Sequence, residues 1–407
     1  MSTELSTSRS KPSWFHVRLW TTWFPEPGRP LKSALANNVF RLFWTPLGWP
    51  LTLVTLVASW HRLRQQSTAP GDPGRAVVAV GNWIVGGAGK TPACMALALG
   101  LSERGWRPCI LSRGAGRLVT DSRPRLLLPE RLGSWRPEEV GDEPWLLCWR
   151  TGCPVAVAAD RWAGAMAMVA MRPEINVFIL DDGLSQSSIR PDLRILVVDD
   201  RLHGNGALLP LGPLRQPWPP RADHLPDLVL IRDNTPLRGV EALLAHCSSP
   251  PAMGRLKLEG LGLTRPQRGD GRIVERSTGL GQAIAGWIAQ GDRPVVALAG
   301  VARPDTFFDE LRGQGVCLVG AEGLADHASL GDIEAAADRL LLPLKGRHPV
   351  LLMTEKDAVK FLMCAPRYVS DHQDLEWWAL SQRHRLPDDQ LEAIHNRIKM
   401  THGQKTS

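Results

Sequence analysis

Hydrophobic positions along the chain fall into short continuous runs separated by longer stretches of helical period. The runs at 76–80 (AVVAV), 109–112, 155–158, 175–180 (INVFIL) and 193–198 are apolar and rich in β-branched residues. That pattern predicts strands buried on both faces of a parallel sheet. The Ala/Leu-rich stretch 93–101 lies between two of them and has the period of a helix. A further strand is predicted at 227–231. Beyond residue 235 the alternation resumes, with strands at 295–299, 316–319 and 350–353 and helices at 304–311 and 330–342. Alternating strands and helices predict an α/β fold in two parts.

The first strand runs directly into Gly-Asn-Trp-Ile-Val-Gly-Gly-Ala-Gly-Lys-Thr-Pro at 81–92. Strand, glycine-rich loop, Lys-Thr and helix in this order form the setting of a phosphate-binding loop. Gly86, Gly87 and Gly89 let backbone N–H groups crowd around phosphate oxygens, and the helix N-terminus adds the positive end of its dipole. Lys90 reaches the β- and γ-phosphates in such a loop, and the Thr91 hydroxyl serves Mg2+. The motif departs from G-x-x-x-x-G-K-[ST] at Ile84, which stands in place of the first glycine. The expected architecture is therefore a P-loop NTPase-like α/β/α sandwich with a second, smaller α/β domain.

The run at 175–180 ends in Asp181-Asp182-Gly183. An acidic pair at the carboxyl end of a parallel strand is where this fold holds the carboxylates that help bind Mg2+. Asp-Gly is also a common turn signal, but beside the phosphate loop the metal reading is favoured.

The chain has 407 residues, 43% hydrophobic and 22% charged. That balance excludes wholesale disorder, a collagen-like chain and a multi-span membrane protein. Its seven cysteines are dispersed without a C-x-x-C pair, which argues for a reducing compartment and against a disulfide frame or a zinc finger. Of the net charge of +7, all but one unit lies in residues 1–65, where eight basic side chains face two acidic ones. The near-neutral remainder lacks a basic-aromatic module and gives no support to nucleic acid as a partner.

No charged residue occurs from Leu42 to Trp60, yet Pro46, Gly48 and Pro50 interrupt the run. What is left, 51–63, is too short a helix to span a bilayer and has basic flanks. Trp14, Trp20, Trp23, Trp44, Trp49 and Trp60 add rings that favour the headgroup level. Two readings follow, a membrane-associated arm on an anionic surface and a buried core helix. The recurrence of Trp with Arg favours the arm. With the polar Pro/Gly connector at 65–75 as a boundary, the expected organisation is an arm at 1–65, a P-loop domain at 66–234, a smaller α/β domain at 235–400 and a disordered tail at 401–407.

A set of ordered blocks between Pro46 and Lys360 carries more information than any one motif: VGNWIVGGAGKTP, LSRGAG, VGDEPWLL, PVAVAADR, LDDGL, GNGALLPLGPLRQP, RADHL, ALAGVARPDTFF, ADHASL and LLMTEKDAVK. In these blocks and their order the chain resembles the tetraacyldisaccharide 4'-kinase family, the lipid A 4'-kinases of Gram-negative bacteria. The resemblance implies ATP and Mg2+ as cofactors. It implies phosphorylation of the 4'-hydroxyl of an acylated glucosamine disaccharide 1-phosphate to form lipid IVA, at the cytoplasmic face of the inner membrane. Nucleotide contacts are implied at Ile84, Val85, Gly86, Gly87, Ala88, Gly89, Lys90 and Thr91, and metal contacts at Thr91, Asp181 and Asp182. Asp142 is implied as the catalytic base, His327 as its partner and Lys90 as the third catalytic residue. Substrate or phosphate contacts are implied at Arg113, Glu143, Arg161 and Arg215.

On the residues alone, Asp142 fits a helix cap equally well, His327 an ordinary loop histidine, and each arginine a structural ion pair. Because Asp142 and His327 fall in different predicted domains, the pair is expected to form across a cleft that domain closure assembles. The 354–357 segment (TEKD) is expected to be structural. Five positions depart from the family pattern: Asp-Asp-Gly-Phe-Gln-His is replaced by Asp181-Asp182-Gly183-Leu184-Ser185-Gln186, Gln216 stands for Glu, and Ala115 for Tyr. These leave two alternatives open, a regulatory P-loop ATPase and a catalytically weakened membrane-bound relative. Oligomeric state is not encoded in any of these features.

Overall fold

The computed structural model describes residues 72–406 except 88, 115–116, 118–122, 186–187, 221–223, 234, 248, 269–272, 290–292, 327 and 372–374, together with Trp23, Leu53, Val54, Leu56 and Val57. In chain order the elements begin with β1 (Ala76–Gly81), α1 (Lys90–Glu103), β2 (Pro108–Ser112) and β3 (Arg125–Leu127). A 3-10 turn at Pro129–Ser134 leads to α2 (Pro137–Val140), α3 (Asp142–Thr151), β4 (Val155–Val157), α4 (Arg161–Met171) and β5 (Val177–Asp181). Next come β6 (Leu193–Val198), β7 (Leu228–Arg232), α5 (Leu237–Leu244), β8 (Ala252–Arg268), β9 (Ile273–Gly279) and α6 (Leu280–Ala289). The last part carries β10 (Val295–Ala299), α7 (Pro304–Gly313), β11 (Leu318–Gly323), α8 (Leu330–Leu341), β12 (Val350–Thr354), α9 (Glu355–Asp371), β13 (Glu376–Arg385) and α10 (Asp388–Thr406).

Contacts divide the chain into two compact units that interleave in sequence. The loop unit holds 12–113, 158–258 and 384–407, and the second unit 1–11, 114–157 and 259–383. This differs from the expected split at residue 235. Residues 252–256 of β8 extend the sheet of the loop unit by pairing parallel with β7, and α10 packs back on α1. Residues 114–157 belong instead with the later strands.

In the loop unit the strand order is β8-β7-β6-β1-β5-β2, with parallel pairs throughout. Every residue of β1, β2 and β5 is buried, as expected of strands covered on both faces. Helix α1 is also buried on most sides, through Ala93, Cys94, Ala96, Leu97, Ala98, Gly100 and Leu101. It has little polar face because α10 covers it. A Cβ on Gly100 would lie 2.5 Å from Leu391 Cδ2, so glycine permits this close approach. Leu391, Ile394 and Ile398 point inward, the Trp106 indole donates to His395 Nδ1 at 2.9 Å, and Arg104 pairs with Asp388 at 3.2 Å. The expected disordered tail at 401–407 is corrected accordingly, since the helix continues to Thr406.

The second unit has parallel strands in the order β11-β10-β12-β13, and β8 pairs antiparallel with β9 from Gly262 onward. Its core gathers Leu263, Trp287, Val295, Phe307, Leu311, Val350 and Trp378 among others. β3 and β4 form a short antiparallel ribbon.

Most of the arm expected at 1–65 lies outside the described residues. Leu53, Val54, Leu56 and Val57 are helical and exposed. The Trp23 indole donates to the Pro210 carbonyl at 3.1 Å, and the Trp23 carbonyl accepts from Asn205 N at 2.8 Å. Among the described residues no helix is long and apolar enough to cross a membrane.

The covered face of α10 gives a direct test. Ile398→Ala deletes a fully buried side chain and is expected to lower unfolding stability by about 2–5 kcal/mol. Denaturant unfolding checks it, and an unchanged midpoint would detach α10 from the fold.

Candidate active site

β1 delivers the chain into the phosphate loop at the carboxyl edge of the sheet. The first limb of that loop is extended, because Ile84 forms an antiparallel bridge with Leu214. Val85 N donates to the Pro213 carbonyl at 2.9 Å and Arg215 N to the Trp83 carbonyl at 2.8 Å. Ile84 is 3% exposed and packs with Trp83, Leu196, Val198, Leu214 and Ile231. A side chain that fills a core position explains why a residue other than glycine stands here. The second limb turns through Gly86 (φ 96°) and Gly89 (φ 84°), which caps α1. A Cβ on Gly89 would meet Arg232 Cδ at 2.4 Å, and one on Gly86 would meet Arg201 Nη1 at 3.0 Å. Ala88 lies outside the described residues.

Lys90 opens α1, and its ammonium donates to Asn82 Oδ1 at 2.9 Å. Opposite stands the end of β5. Asp181 is buried and accepts from Ser112 Oγ at 3.1 Å, with Cys94 Sγ 3.9 Å from its other oxygen. Burial, reinforced by the Asp181 charge, raises the Cys94 pKa well above its ordinary value and keeps the thiol protonated. Asp182 sits at positive φ (53°) and pairs with Lys90 at 3.6 Å and Arg215 at 2.7 Å. Burial pushes its pKa up, but Lys90 and Arg215 together outweigh burial and hold it below the usual carboxylate value.

Thr91, Asp181 and Asp182 offer only oxygen donors, the chemistry that suits a hard cation such as Mg2+. Among the described residues no cluster of three or more His, Cys, Asp or Glu could hold a metal. Two carboxylates and a hydroxyl fit an ion that takes its remaining ligands from substrate phosphates and water.

A second charged centre lies within the second unit. Asp142 is the first residue of α3, after Gly141, and its side chain is 2% exposed. Its Oδ1 accepts from Glu143 N at 3.1 Å. Its Oδ2 lies 3.1 Å from Lys360 Nζ and 3.7 Å from Lys356 Nζ. Lys356 also pairs with Glu143 at 3.7 Å and Asp326 at 2.9 Å, and Lys360 donates to the Ala328 carbonyl at 2.8 Å. Burial lowers the Lys356 pKa, but Asp142, Glu143 and Asp326 overcome it and hold the ammonium protonated above its usual range.

His327 lies outside the described residues, while its neighbours Asp326 and Ala328 are tied to the two lysines that flank Asp142. Asp142 and Asp326 belong to one compact unit. The expectation of a pairing across two domains is therefore corrected: the units interleave, and segment 114–157 packs with the strands and helices of 259–383.

The remaining expected residues diverge. Arg215 sits on Asp182, and Glu143 shares Lys356 with Asp142. Arg161 is buried and donates to the carbonyls of Ala158 and Ala159 at 2.8 and 3.3 Å. Arg113 is exposed, and Gln186 lies outside the described residues. Lys356 and Lys360 were missed as site residues because the TEKD segment was expected to be structural. The readable signal was their i,i+4 spacing, which places both on one face of a helix.

Comparison with known proteins adds an independent line. Residues 40–399 match the family described as tetraacyldisaccharide-1-P 4'-kinase (LpxK). The chain is 36% identical over 338 residues to a tetraacyldisaccharide 4'-kinase of Methylibium petroleiphilum, covering 81% of this chain and 84% of the relative. It is 35% identical over 349 residues to one of an Acidovorax species, covering 84% and 90%. Among solved structures, LpxK from Aquifex aeolicus in complex with ATP aligns with a TM-score of 0.61 at 23% identity, covering 86% of this chain and 98% of that one. This last likeness establishes the fold.

The pairing of Asp182 fixes a pH signature. A carboxylate held below its unfolded pKa stabilises the fold above the ordinary carboxylate range, and loses that stabilisation as pH falls through the lowered value. Arg215→Gln is therefore expected to destabilise at neutral pH, with the gap to wild type closing in acid. Because Asp182 is 36% exposed, the neutral-pH gap is expected at about 1 kcal/mol or less. Denaturant midpoints across pH check it, and a gap that widens in acid would contradict the pairing.

Proposed function

Because the chain belongs to the tetraacyldisaccharide-1-P 4'-kinase family, we propose that its phosphate loop and its Asp142 centre serve one reaction. That reaction is transfer of the γ-phosphoryl group of ATP to the 4'-hydroxyl of a tetraacylated glucosamine disaccharide 1-phosphate, forming lipid IVA in lipid A biosynthesis. The observation that carries this reading is the convergence of Lys90, Arg215 and Asp182 at the mouth of a glycine-rich loop.

Phosphoryl transfer passes through a loose transition state that leaves little covalent chemistry to the protein. The donor has to be clamped, its charge neutralised and the acceptor hydroxyl aimed. Backbone N–H groups of Gly86, Gly87 and Gly89 and the start of α1 bind phosphate oxygens. Lys90 and Arg215 turn from Asp182 to the triphosphate, since a polyanion offers them more charge than one carboxylate does. Thr91, Asp181 and Asp182 would hold Mg2+, which when bound supplies charge neutralisation to the β- and γ-phosphates. Asp142 accepts a hydrogen bond from the sugar hydroxyl and aligns it, and His327 shares the proton that leaves it. The 4'-oxygen bonds to the γ-phosphorus as the bond from that phosphorus to the β–γ bridging oxygen breaks and ADP leaves, and the one hydroxyl proton passes to the Asp142–His327 pair.

The basic, Trp-rich arm suits an acylated substrate, which resides in a membrane. Its eight basic side chains favour an anionic surface, and its indoles favour the headgroup layer. We assign the protein on that ground to the cytoplasmic face of the bacterial inner membrane.

Two experiments test this reading. In mixed micelles with labelled ATP and Mg2+, Lys90→Ala is expected to lose about a hundredfold or more in kcat. Asp142→Ala is expected to lose on the order of a hundredfold or more with ATP affinity little changed; full turnover in that variant would remove Asp142 from the mechanism. Deleting residues 1–65 is expected to abolish sedimentation with vesicles containing anionic lipid, and undiminished sedimentation would move the membrane contact elsewhere.

A further inference from the structure

The Asp142 centre brings two ammonium groups to one buried carboxylate oxygen. Lys356 and Lys360 stand one helical turn apart on α9, and both ammonium groups approach the same Oδ2 of Asp142, at 3.7 and 3.1 Å. Each lysine also holds the segment around position 327, Lys356 through the Asp326 carboxylate and Lys360 through the Ala328 carbonyl. At the far end of the same helix pair, Arg150 on α3 meets Glu355 on α9 at 2.9 Å.

Building on the kinase reading, we propose that Lys356 and Lys360 are positioning residues for Asp142: they hold its carboxylate as an anion in one orientation and tie Asp326 and the Ala328 carbonyl to it. Three effects act in the same direction. The carboxylate lies at the N-terminus of α3, where the helix dipole favours a negative charge. Its Oδ1 is fixed by the Glu143 amide. Its Oδ2 faces two ammonium groups that are themselves 12–13% exposed, where charges are poorly screened. Burial alone would protonate the acid, so removing a lysine shifts that balance.

The other charged groups on elements packed against α3 are Glu130 and Arg131 of the 3-10 turn, Glu138 and Glu139 of α2, and Glu355, Asp357, Arg367 and Asp371 of α9. Glu139 accepts from Arg136 N at 2.9 Å, Glu355 is taken by Arg150, and Asp357 by Thr354 Oγ1 and Gly300 N. Glu143 and Asp326 share Lys356.

The test compares full-length wild type with Lys360→Met, Lys356→Met and Lys360→Arg, reading kcat, KM for ATP and the pH profile of kcat. Lys360→Met is expected to lower kcat at neutral pH about tenfold or more and to move the acid limb of kcat upward by about one unit, a unit being a factor of ten in the ionised fraction. KM for ATP is expected to stay unchanged, and Lys360→Arg to restore most of kcat and the original limb. Lys356→Met is expected to act in the same direction. A lower melting temperature with kcat and the acid limb unchanged would overturn the proposal and leave the lysines as structural ties.

A second readout does not depend on catalysis. In protein labelled with 13C at aspartate carboxyls, the Asp142 resonance is the one lost in Asp142→Asn. It is expected to titrate at lower pH in wild type than in Lys360→Met. Equal titration in the two would overturn the proposal even if wild type transferred no phosphate. Absence of transfer with the expected titration would retain the lysine assignment and reject only the kinase reading.

Discussion

The parallel pairing of β1 with β5 is the constraint on which the nucleotide-binding features depend. It sets Val80 opposite Asp181, so the strand that enters the phosphate loop and the strand that ends in the acidic pair finish at the same edge of the sheet. A slip of one residue would turn every side chain of β5 to the other face. Asp181 would then leave Ser112, and the positive φ at Asp182 would no longer aim that carboxylate at Lys90. Register is protected by burial, because all five residues of β5 are covered and no slipped pairing covers them equally.

Ile84 shows how the chain retains a phosphate loop while breaking its usual pattern. A glycine at this position would leave the first limb without a side chain to bury. Isoleucine anchors that limb to the segment around Leu214, and the same bridge brings Arg215 to Asp182. The loop and the arginine are thus positioned by one strip of backbone hydrogen bonds. The replacement of Glu by Gln216 acts on the same strip. Gln216 is buried, and an amide there avoids the cost of burying a charged carboxylate.

Much of this was legible in the sequence, for identifiable reasons. Strands β1 and β10 are continuous apolar runs, β5, β6 and β12 carry one polar residue each, and the loop between β1 and α1 has a composition suited to phosphate binding. Helix α10 was not legible because polar and charged residues dominate its composition. Its buried stripe of Leu391, Ile394 and Ile398 has helical spacing, but only the glycine at position 100 on a distant helix shows what covers it. The interleaving of the two units was hidden for a related reason. Linear order favours a single cut, whereas the tie between Asp142 and Lys360 joins positions more than two hundred residues apart. Lys356 and Lys360 look in sequence like the solvated face of a helix, and only the buried carboxylate opposite gives them a role.

Asp142 also bears on how strong a base this chemistry requires. A carboxylate at a helix N-terminus, beside two ammonium groups, binds a proton weakly, which would be a handicap if proton removal set the rate. In a loose phosphoryl transfer the attacking oxygen forms little bond before the leaving group has largely departed, so its proton stays in place until late. What matters earlier is the direction of the hydroxyl, and a fixed anion directs it better than a mobile strong base does. A carboxylate kept ionised by lysines therefore suits orientation, and the proton itself is better taken by a group that titrates near neutrality, as histidine does. On the proposed assignment, that division of labour accounts for two lysines that meet Asp142 and also hold Asp326 and the Ala328 carbonyl.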